Sequence, residues 1–418
     1  MSTSVICERH IARRGNLRII QQNHSISLNM SPIRVALVGL SSSAKVAWAA
    51  DAHLPYLLSP RGKKHYRLVA LLNSSTQAAE AAKKTFALPE DVKAYGDPTI
   101  LAGDPEIDLL IACTRVDIHS SVAEPSLKAG KAVYIEWPVT QDLASTMNLA
   151  ELLHDPRSSI IGLQGRVAPI TLRLKDILAT NTIGRVLSSQ VRAFGNLVQR
   201  DALPESLEYF AERKVGGHPI NIHYGHMIDY VHEVLGGWEE SHTTMQIQRP
   251  ELKLLGADGR VYRIVKSDVP DLISAHGTLS TEKGVTVPGA TLTASFRLGQ
   301  PFKGEPGFVW YIAGETGELR VTAPGPYLMS GDSYDGPVSI EHHDYATDEV
   351  RDLGWDWPEW QKELGLRARS VAEVYERYAE WVEGGMGKVV EGREWPSVAD
   401  GVALMKEFDE IYKEFDRV

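Results

Sequence analysis

Residues 33–45 read IRVALVGLSSSAK, and this stretch decides the fold. Ile33 to Val38 is a short apolar run, rich in β-branched residues, that ends at Gly39. This pattern is typical of a buried parallel strand. A loop of small residues follows, and Val46 to Leu58 has helical composition. A strand, a tight glycine turn and a helix N-terminus together form the geometry that binds a pyrophosphate through backbone N–H groups.

The alternation of strand and helix continues to about residue 155. Strands alternating with helices predict a doubly wound parallel sheet, the Rossmann arrangement. The further strands are predicted at Arg67 to Leu72, Ile107 to Cys113 and Ala132 to Ile135, and the further helices at Thr76 to Phe86, Ser120 to Ala129 and Ala144 to Leu153. After this stretch one more strand is predicted at Ile160 to Leu163 and a helix at Thr171 to Leu178.

After Gly184 the period changes, and many strands follow one another with turns such as Asp258-Gly259 between them. This succession predicts an α+β domain with an open, mainly antiparallel sheet. Helices are predicted at His226 to Leu235 and in the last 50 residues. We therefore divide the chain into a disordered tail (1–30), a dinucleotide-binding domain (31–155) and an α+β substrate and oligomerisation domain (156–418) with C-terminal helices.

Composition excludes several classes of protein. The 418 residues are 43% hydrophobic and 23% charged, with a formal net charge of −10 and two cysteines. The acidic charge argues against direct contact with nucleic acid. No stretch is apolar enough for a membrane span, and the few cysteines suggest a reducing compartment. We expect a cytoplasmic protein, with the nucleus also open. The alternatives for the first 30 residues are a mitochondrial address and a true start at Met30.

The loop after the first strand is an incomplete dinucleotide fingerprint. Gly39 fits the first position of G-x-G-x-x-G/A and Ala44 the last, whereas a serine replaces the middle glycine. Serine hydroxyls and a lysine can still bind phosphate, so the loop keeps groups that could hold the pyrophosphate of a dinucleotide. The residues predicted to bind the cofactor here are Gly39, Leu40, Ser41, Ser42, Ser43 and Lys45.

The ends of the next strands supply further cofactor residues. The second strand ends in Asn73 and Ser74 instead of the usual acid for the ribose 2′-OH, which leaves NAD and NADP both open. The third strand is followed by residues at the sheet edge where a ligand binds; these are Thr114, Arg115, Val116 and His119. For His119, packing at a helix start is the alternative.

Residues 129–138, AGKAVYIEWP, carry a family resemblance. They resemble the A-G-K-x-V-x-x-E-K-P signature of the glucose-fructose oxidoreductase and inositol dehydrogenase family. The resemblance continues through residues 164–166, 183–186 and 226–229, and it is strongest to the subgroup of the fungal galactose-pathway repressor. It implies a cofactor cleft shaped by Glu136, Trp137, Pro138 (often after a cis bond) and Gln164. It also implies a homodimer through the C-terminal sheet.

Two departures from the family pattern affect the chemistry. Trp137 stands where the enzymes have their proton-handling lysine, and Ile222 stands where they have an aspartate. His226, the family's histidine, remains and is suited to proton exchange near neutral pH. We predict His226 as the acid/base, with Tyr224 and His223 as further catalytic candidates. A metal on His223 and His226 has the right i, i+3 spacing, but structural histidines are favoured, and no metal site is predicted.

Two hypotheses follow. The first is an NAD(P)-dependent oxidoreductase with altered catalytic residues that acts on a small metabolite. The second is a dinucleotide-binding regulator without turnover, as in the repressor subgroup, whose partner would be a transcriptional activator. The lost lysine and aspartate favour the second hypothesis, whereas the prevalence of enzymes with this fold favours the first. The first is preferred by a small margin.

Overall fold

The first sheet contains six parallel strands. A computed structural model describes residues 32–41, 47–330 and 336–417. The sheet has the order β3-β2-β1-β4-β5-β6. Its strands are β1 (Ile33–Val38), β2 (Tyr66–Leu72), β3 (Lys93–Tyr95), β4 (Leu109–Ala112), β5 (Ala132–Ile135) and β6 (Ser159–Ile161). The strand order reverses between β1 and β4, and such a switch point is where ligands bind in open α/β sheets.

Short helices connect these strands, and several begin at side-chain caps. Ser75 accepts a hydrogen bond from the N–H of Ala78, and Asp142 accepts one from the N–H of Ser145. The helices are α1 (Leu54–Leu58), α2 (Gly62–His65), α3 (Thr76–Thr85), α4 (Pro98–Ala102), α5 (His119–Lys128) and α6 (Leu143–Glu151). A π-helical turn, Ala49–His53, precedes α1.

The second half of the chain forms a larger sheet of eight strands. The order is β17-β16-β15-β14-β7-β13-β12-β9; β7 and β13 are parallel and the other pairs antiparallel. The bounds are β7 (Val186–Gly195), β9 (Trp238–Gln246), β12 (Leu272–Leu279), β13 (Thr286–Leu298), β14 (Phe308–Gly314), β15 (Gly317–Ala323), β16 (Ser339–Asp344) and β17 (Glu349–Asp352). The predicted fold class, a Rossmann sheet followed by a mainly antiparallel sheet, is confirmed.

A third, small sheet lies beside the large one. It pairs β8 (Ala202–Pro204), β10 (Glu251–Leu255) and β11 (Val261–Lys266). The helices of this half are α7 (Pro169–Ala179), α8 (Gly225–Leu235), α9 (Glu359–Lys362), α10 (Leu366–Glu383) and α11 (Val398–Phe415). A second π-helical turn, Ile220–Tyr224, leads into α8. No helix in the described ranges has the length and apolar character that a membrane crossing requires.

The two faces of the first sheet belong to different cores. One face packs with α8 and α11 in the core that continues into the large sheet. The other face packs against the 49–58 segment and against α10, which comes from the end of the chain. Successive residues of a strand point to opposite faces, so neighbouring residues at a strand end enter different environments.

Candidate functional site

The turn after β1 requires glycine. Gly39 has a φ of +81°, and a Cβ atom there would lie 2.2 Å from the carbonyl oxygen of Cys113. The Gly39 N–H donates to the carbonyl of Leu72, which ties the turn to β2. Leu40 is buried and Ser41 half-buried beside it. Ser42, Ser43 and Lys45 lie outside the described residues, so their predicted contacts with phosphate stay predictions.

The end of β2 lies against this turn. The side-chain amide of Asn73 donates to the carbonyl of Leu40 at 2.9 Å, whereas its Oδ1 has no partner among the described residues. Ser74 is exposed. The two residues therefore lie at the predicted edge, and Asn73 helps to shape the turn.

The residues after β4 differ in their exposure. Arg115 is exposed, pairs with Asp117 at 2.6 Å and lies over the Tyr209 ring. Val116 is buried and Thr114 half-buried. Thr114 and Arg115 are therefore partly accessible at the edge of the first sheet, directly after β4.

His119 is buried and contacts the backbone that follows β4 and β5. Its Nε2 lies 3.0 Å from the carbonyl oxygen of Thr114, and its Nδ1 lies 3.1 Å from those of Pro138 and Val139. Both ring nitrogens therefore contact the backbone. This contact supports the packing alternative over direct cofactor contact.

The residues after β5 point in opposite directions. Glu136 accepts a hydrogen bond from the buried His53 ring (Nε2 to Oε1, 2.8 Å), and the other His53 nitrogen lies 2.6 Å from the hydroxyl of Tyr375. Trp137 points to the other face and donates from its indole N–H to the carbonyl of Asn221 at 2.7 Å. The bond between Trp137 and Pro138 is cis, and Pro138 is buried.

Trp137 is part of the core. Its side chain is 4% exposed and packs near the ring of Phe408. A Cβ atom at Gly225 would lie 2.6 Å from its indole nitrogen, so α8 begins directly against the indole. An indole offers one N–H and no titratable group, and here that N–H is already used.

The three predicted catalytic residues lie in different surroundings. Tyr224 is fully buried near Phe408, and burial raises the pKa of its hydroxyl well above the usual value. His223 is enclosed by Phe210, Phe296 and Tyr327. The catalytic roles of Tyr224 and His223 stay predictions, without support from their positions.

His226 is half-buried, and its Nδ1 has no partner among the described residues. Burial lowers the pKa of His226 to about 4, and the negative charge of Glu136 acts in the opposite direction. The ring is therefore neutral at pH 7, and its pKa lies below the near-neutral value expected from the sequence. Of the three candidates, only His226 is half-buried instead of buried.

Sequence reasoning missed His53. One ring nitrogen of His53, the thiol of Cys113 and a carboxylate oxygen of Glu136 all lie within 4.8 Å of one another, close enough for a shared metal ion. The distance of 2.8 Å between His53 and Glu136 is that of a hydrogen bond. Burial raises the pKa of Cys113 well above its usual value, so the thiol keeps its proton. We therefore interpret His53 and Glu136 as a hydrogen-bonded pair beside the Cys113 thiol. A carboxylate directly after a buried strand was the only sequence signal for such a partner.

Arg166 forms a half-buried ion-pair cluster. It contacts both carboxylate oxygens of Asp229 and one of Asp400, and it lies 3.9 Å from Glu233. With its charge matched in this way, Arg166 serves as an internal ion pair instead of a free anion-binding group.

The sheet edge suits a dinucleotide. Gln164 is 2% exposed and its Oε1 is an acceptor without a partner among the described residues, as is Asn73 Oδ1. Such acceptors match the hydroxyl and amide donors of a dinucleotide, and the Gly39 turn lies at the switch point of the sheet. Gly39, Asn73, Thr114 and Gln164 are the described residues that would hold it.

A parallel sheet with this order, a glycine turn after β1 and a second, open sheet define a dinucleotide-binding oxidoreductase fold. Residues 33–158 match the oxidoreductase family with an NAD-binding Rossmann fold, and residues 169–323 match the Gal80p C-terminal domain. Dehydrogenase aclE of Aspergillus oryzae is 30% identical over 304 residues, which cover 71% of this chain and 78% of that protein. The chain belongs to the GFO/IDH/MocA oxidoreductase family, with a Gal80-like C-terminal domain.

Other relatives include both regulators and enzymes. The galactose/lactose metabolism regulatory protein GAL80 of Saccharomyces cerevisiae is 26% identical over 307 residues, or 70% of this chain and 67% of that protein. A crystal structure of a super-repressor mutant of Gal80p has a TM-score of 0.78 at 20% identity, covering 92% of this chain and 96% of that one. Levoglucosan dehydrogenase with NADH and L-sorbose has a TM-score of 0.71 at 16% identity, covering 93% and 98%. The structural likenesses show the fold alone.

Proposed function

We propose that this protein is an NAD(P)-dependent oxidoreductase that interconverts a hydroxyl and a carbonyl group on a small polar metabolite. His226 carries the proposal, because it is the one candidate of the three that is half-buried, at the start of α8, and its Nδ1 has no partner among the described residues. The similarity to a dehydrogenase over 304 residues supports it.

His226 performs the proton step. The bound nicotinamide supplies the redox chemistry by accepting or donating a hydride. During oxidation the hydroxyl proton passes to the neutral ring of His226, and during reduction the protonated ring returns it. Trp137 cannot share this task because its only N–H is bonded to Asn221. Its indole instead packs in the core at the position where the enzymes of the family have a lysine.

Turnover on a substrate panel tests the proposal. The purified full-length protein is mixed with polyols, sugars and hydroxy acids and with either cofactor, and the nicotinamide absorbance is followed. His226→Ala should reduce kcat by about a hundredfold or more while dinucleotide binding persists. His232→Gln, on the same helix but bonded to Glu407, is the matched control. Dinucleotide binding without turnover across the panel would count against the proposal.

A second candidate is a dinucleotide-binding regulator without turnover. The specific observation in its favour is that Trp137 is fixed in the core, so the usual proton-handling position is lost. The GAL80 relatives support this candidate as well. Its test is the binding of labelled acidic activator peptides with and without dinucleotide. Binding that depends on the dinucleotide would favour the regulator.

The proposal includes the use of NAD or NADP as cofactor and a homodimeric state. The absence of an acidic residue at Asn73 and Ser74 supports the use of both NAD and NADP. The large sheet exposes Leu187 and Tyr311, which are 45% and 36% exposed, and such a face suits a homodimer. Light scattering of the wild type and of Leu187→Asp tests the dimer, which the variant should weaken.

A further inference from the structure

We propose that four arginines at one end of the large sheet bind the dianionic phosphate group of a small phosphorylated metabolite. The four residues, called the arginine cluster below, are Arg192, Arg200, Arg249 and Arg297. The proposed function does not use this site, and the test of the site does not depend on turnover.

The arginine cluster lies on the opposite face of the large sheet from α8. Phe296 of β13 contacts the ring of His223, just before α8, at 6.2 Å between ring centres. Successive residues of a strand point to opposite faces, so Arg297 points away from α8. Arg297 is paired with Phe194 of β7, and Arg192 lies two residues before Phe194 on the same face. The cluster is therefore separated from the start of α8 by the thickness of the sheet.

Two shared contacts bring three of the arginines together. The guanidinium carbons of Arg297 and Arg192 lie 4.5 and 5.6 Å from the centre of the Phe194 ring. The guanidinium groups of Arg297 and Arg200 donate to one carbonyl oxygen, that of Gln300, at 3.1 and 2.9 Å. Two cationic groups that share one oxygen lie within reach of the same small ligand.

Arg249 joins the cluster through Asp271. Its guanidinium lies 3.3 Å from a carboxylate oxygen of Asp271. The backbone carbonyl of Asp271 accepts a hydrogen bond from the N–H of Leu298, the residue after Arg297. Partial burial, followed by the positive charges of the other three arginines, lowers the pKa of Arg297. The four positive charges are thus close enough to repel one another.

The cluster has two positive charges without a matching carboxylate. Arg192 and Arg249 each pair with a carboxylate, at 2.9 and 3.3 Å. In the described part of the chain, Arg200 and Arg297 form no ion pair and bond to backbone carbonyls instead. A phosphate monoester carries a charge of about −1.5 to −2 at neutral pH, which matches this excess.

The guanidinium groups of Arg200 and Arg297 keep most of their N–H donors for a ligand. Backbone carbonyls take one donor from Arg200 and two from Arg297. The stem of Arg200 packs against Gly299, where a Cβ atom would lie 2.1 Å from its Cγ. Because a guanidinium presents its donors as a planar fork, it matches a pair of phosphate oxygens. These contacts therefore hold suitable donors in place before a ligand binds.

The surroundings favour a small ligand over a polyanion. Glu305 and Asp271 flank the cluster, and the chain has a formal net charge of −10. A nucleic acid or an anionic membrane would bring further phosphates close to these carboxylates and to the rest of an acidic protein. Such repulsion acts over about 10 Å at 0.1 M salt. A single phosphate ester group is small enough to meet the cluster alone.

Calorimetric titration of the full-length protein tests the site. The probes are glycerol 3-phosphate and inorganic phosphate at low ionic strength, with glycerol as the uncharged control. We expect both phosphates to bind and glycerol not to bind. Arg200→Gln and Arg297→Gln should each weaken the binding of glycerol 3-phosphate by about tenfold or more. Arg297→Lys keeps the charge but loses the fork and should have a smaller effect. Arg320→Gln, on the same sheet but bonded to Glu341, is the matched control.

Two further measurements identify what the cluster binds. NADH affinity, measured by fluorescence, should be equal in the wild type and the variants; a parallel loss of NADH and phosphate binding would place the phosphate in the dinucleotide site and overturn the proposal. Light scattering tests the second copy of the chain as the occupant. If the wild type binds neither phosphate and Arg200→Gln loses the dimer, the cluster is a contact between copies and the proposal is wrong.

Arg200→Gln decides the outcome if Arg297→Gln does not fold. Arg200 is exposed, so its variant should have the thermal stability of the wild type. Equal affinity for glycerol 3-phosphate in the wild type and in Arg200→Gln would show that the phosphate binds elsewhere and would reject the site.

Discussion

Glu136 and Trp137 are adjacent residues with opposite surroundings. Glu136 faces a polar group in which each partner is fixed by a hydrogen bond. Trp137 faces the apolar core and is fixed by packing and by one bond to a backbone carbonyl. The comparison shows that Trp137, at the position of the family's lysine, is part of the apolar core. Glu136, the residue before it, has polar partners. The two faces should therefore respond differently to substitution.

The largest effect is expected when the family's lysine is restored. Trp137→Lys places a charge where 4% of the side chain is exposed and removes the contact with Phe408. We expect a loss of about 3–5 kcal/mol in the free energy of unfolding, measured by urea denaturation. Trp137→Phe keeps an aromatic ring and should lose about 1–3 kcal/mol. A stable Trp137→Lys variant with raised turnover would show that the indole is not part of the core.

Substitutions at two glycines test the surroundings of Trp137 and of Glu136 separately. Gly225→Ala presses a methyl group against the rigid indole of Trp137, whereas Gly162→Ala presses one against the carboxylate of Glu136. We expect Gly225→Ala to cost about 2 kcal/mol and Gly162→Ala about 1 kcal/mol. Urea denaturation measures both costs, and equal costs in the two variants would contradict the separation of the faces.

Acid should destabilise the protein through the buried histidines in and before α8. Burial lowers the pKa of His218 and of His223 to about 3 and that of His226 to about 4. Below the unfolded value of about 6.5, the unfolded chain binds protons that the folded chain does not. Stability should therefore fall from pH 6.5 towards pH 4, by at most about 1.4 kcal/mol per pH unit for each histidine. Urea midpoints at several pH values measure this slope, and His223→Phe should flatten it.

The smallest effect concerns the cofactor. Asn73→Asp adds a charge at the end of β2 that would repel a 2′-phosphate and accept from a ribose hydroxyl. We expect the ratio of Kd values for NADPH and NADH to rise by about threefold to tenfold, measured by nicotinamide fluorescence. Because Asn73 also binds the Leu40 carbonyl, Asn73→Ser serves as the control for loss of that bond. A similar ratio in both variants would place the ribose elsewhere.

The strands of the first sheet were largely predictable from the sequence. The strand Ile33–Val38 was predicted to the residue, because a continuous apolar run between breakers fits a strand buried on both faces. The short strands Lys93–Tyr95 and Glu349–Asp352 were missed. Both lie at sheet edges, where polar residues replace the apolar pattern.

The site was predictable only in part. Gly39, Glu136 and His226 were found because they follow strands or match a motif. His53 was missed because its partners are 83 and 322 residues away, and local periodicity carries no information on such pairs. The burial of Tyr224 and His223 depends on packing against distant segments, which a helical pattern does not specify.

The return of α10 to the first sheet has a consequence for synthesis. Tyr375 completes a group that begins with His53, 322 residues earlier. About 214 residues separate the end of β6 from Tyr375, so at ribosomal rates of about 5–20 residues per second the first sheet waits roughly 11–43 s for its last layer. During that time the face that α10 later covers is open to water and to other chains. A chaperone bound to the nascent protein should therefore protect the apolar side of β1 and β2 until α10 emerges.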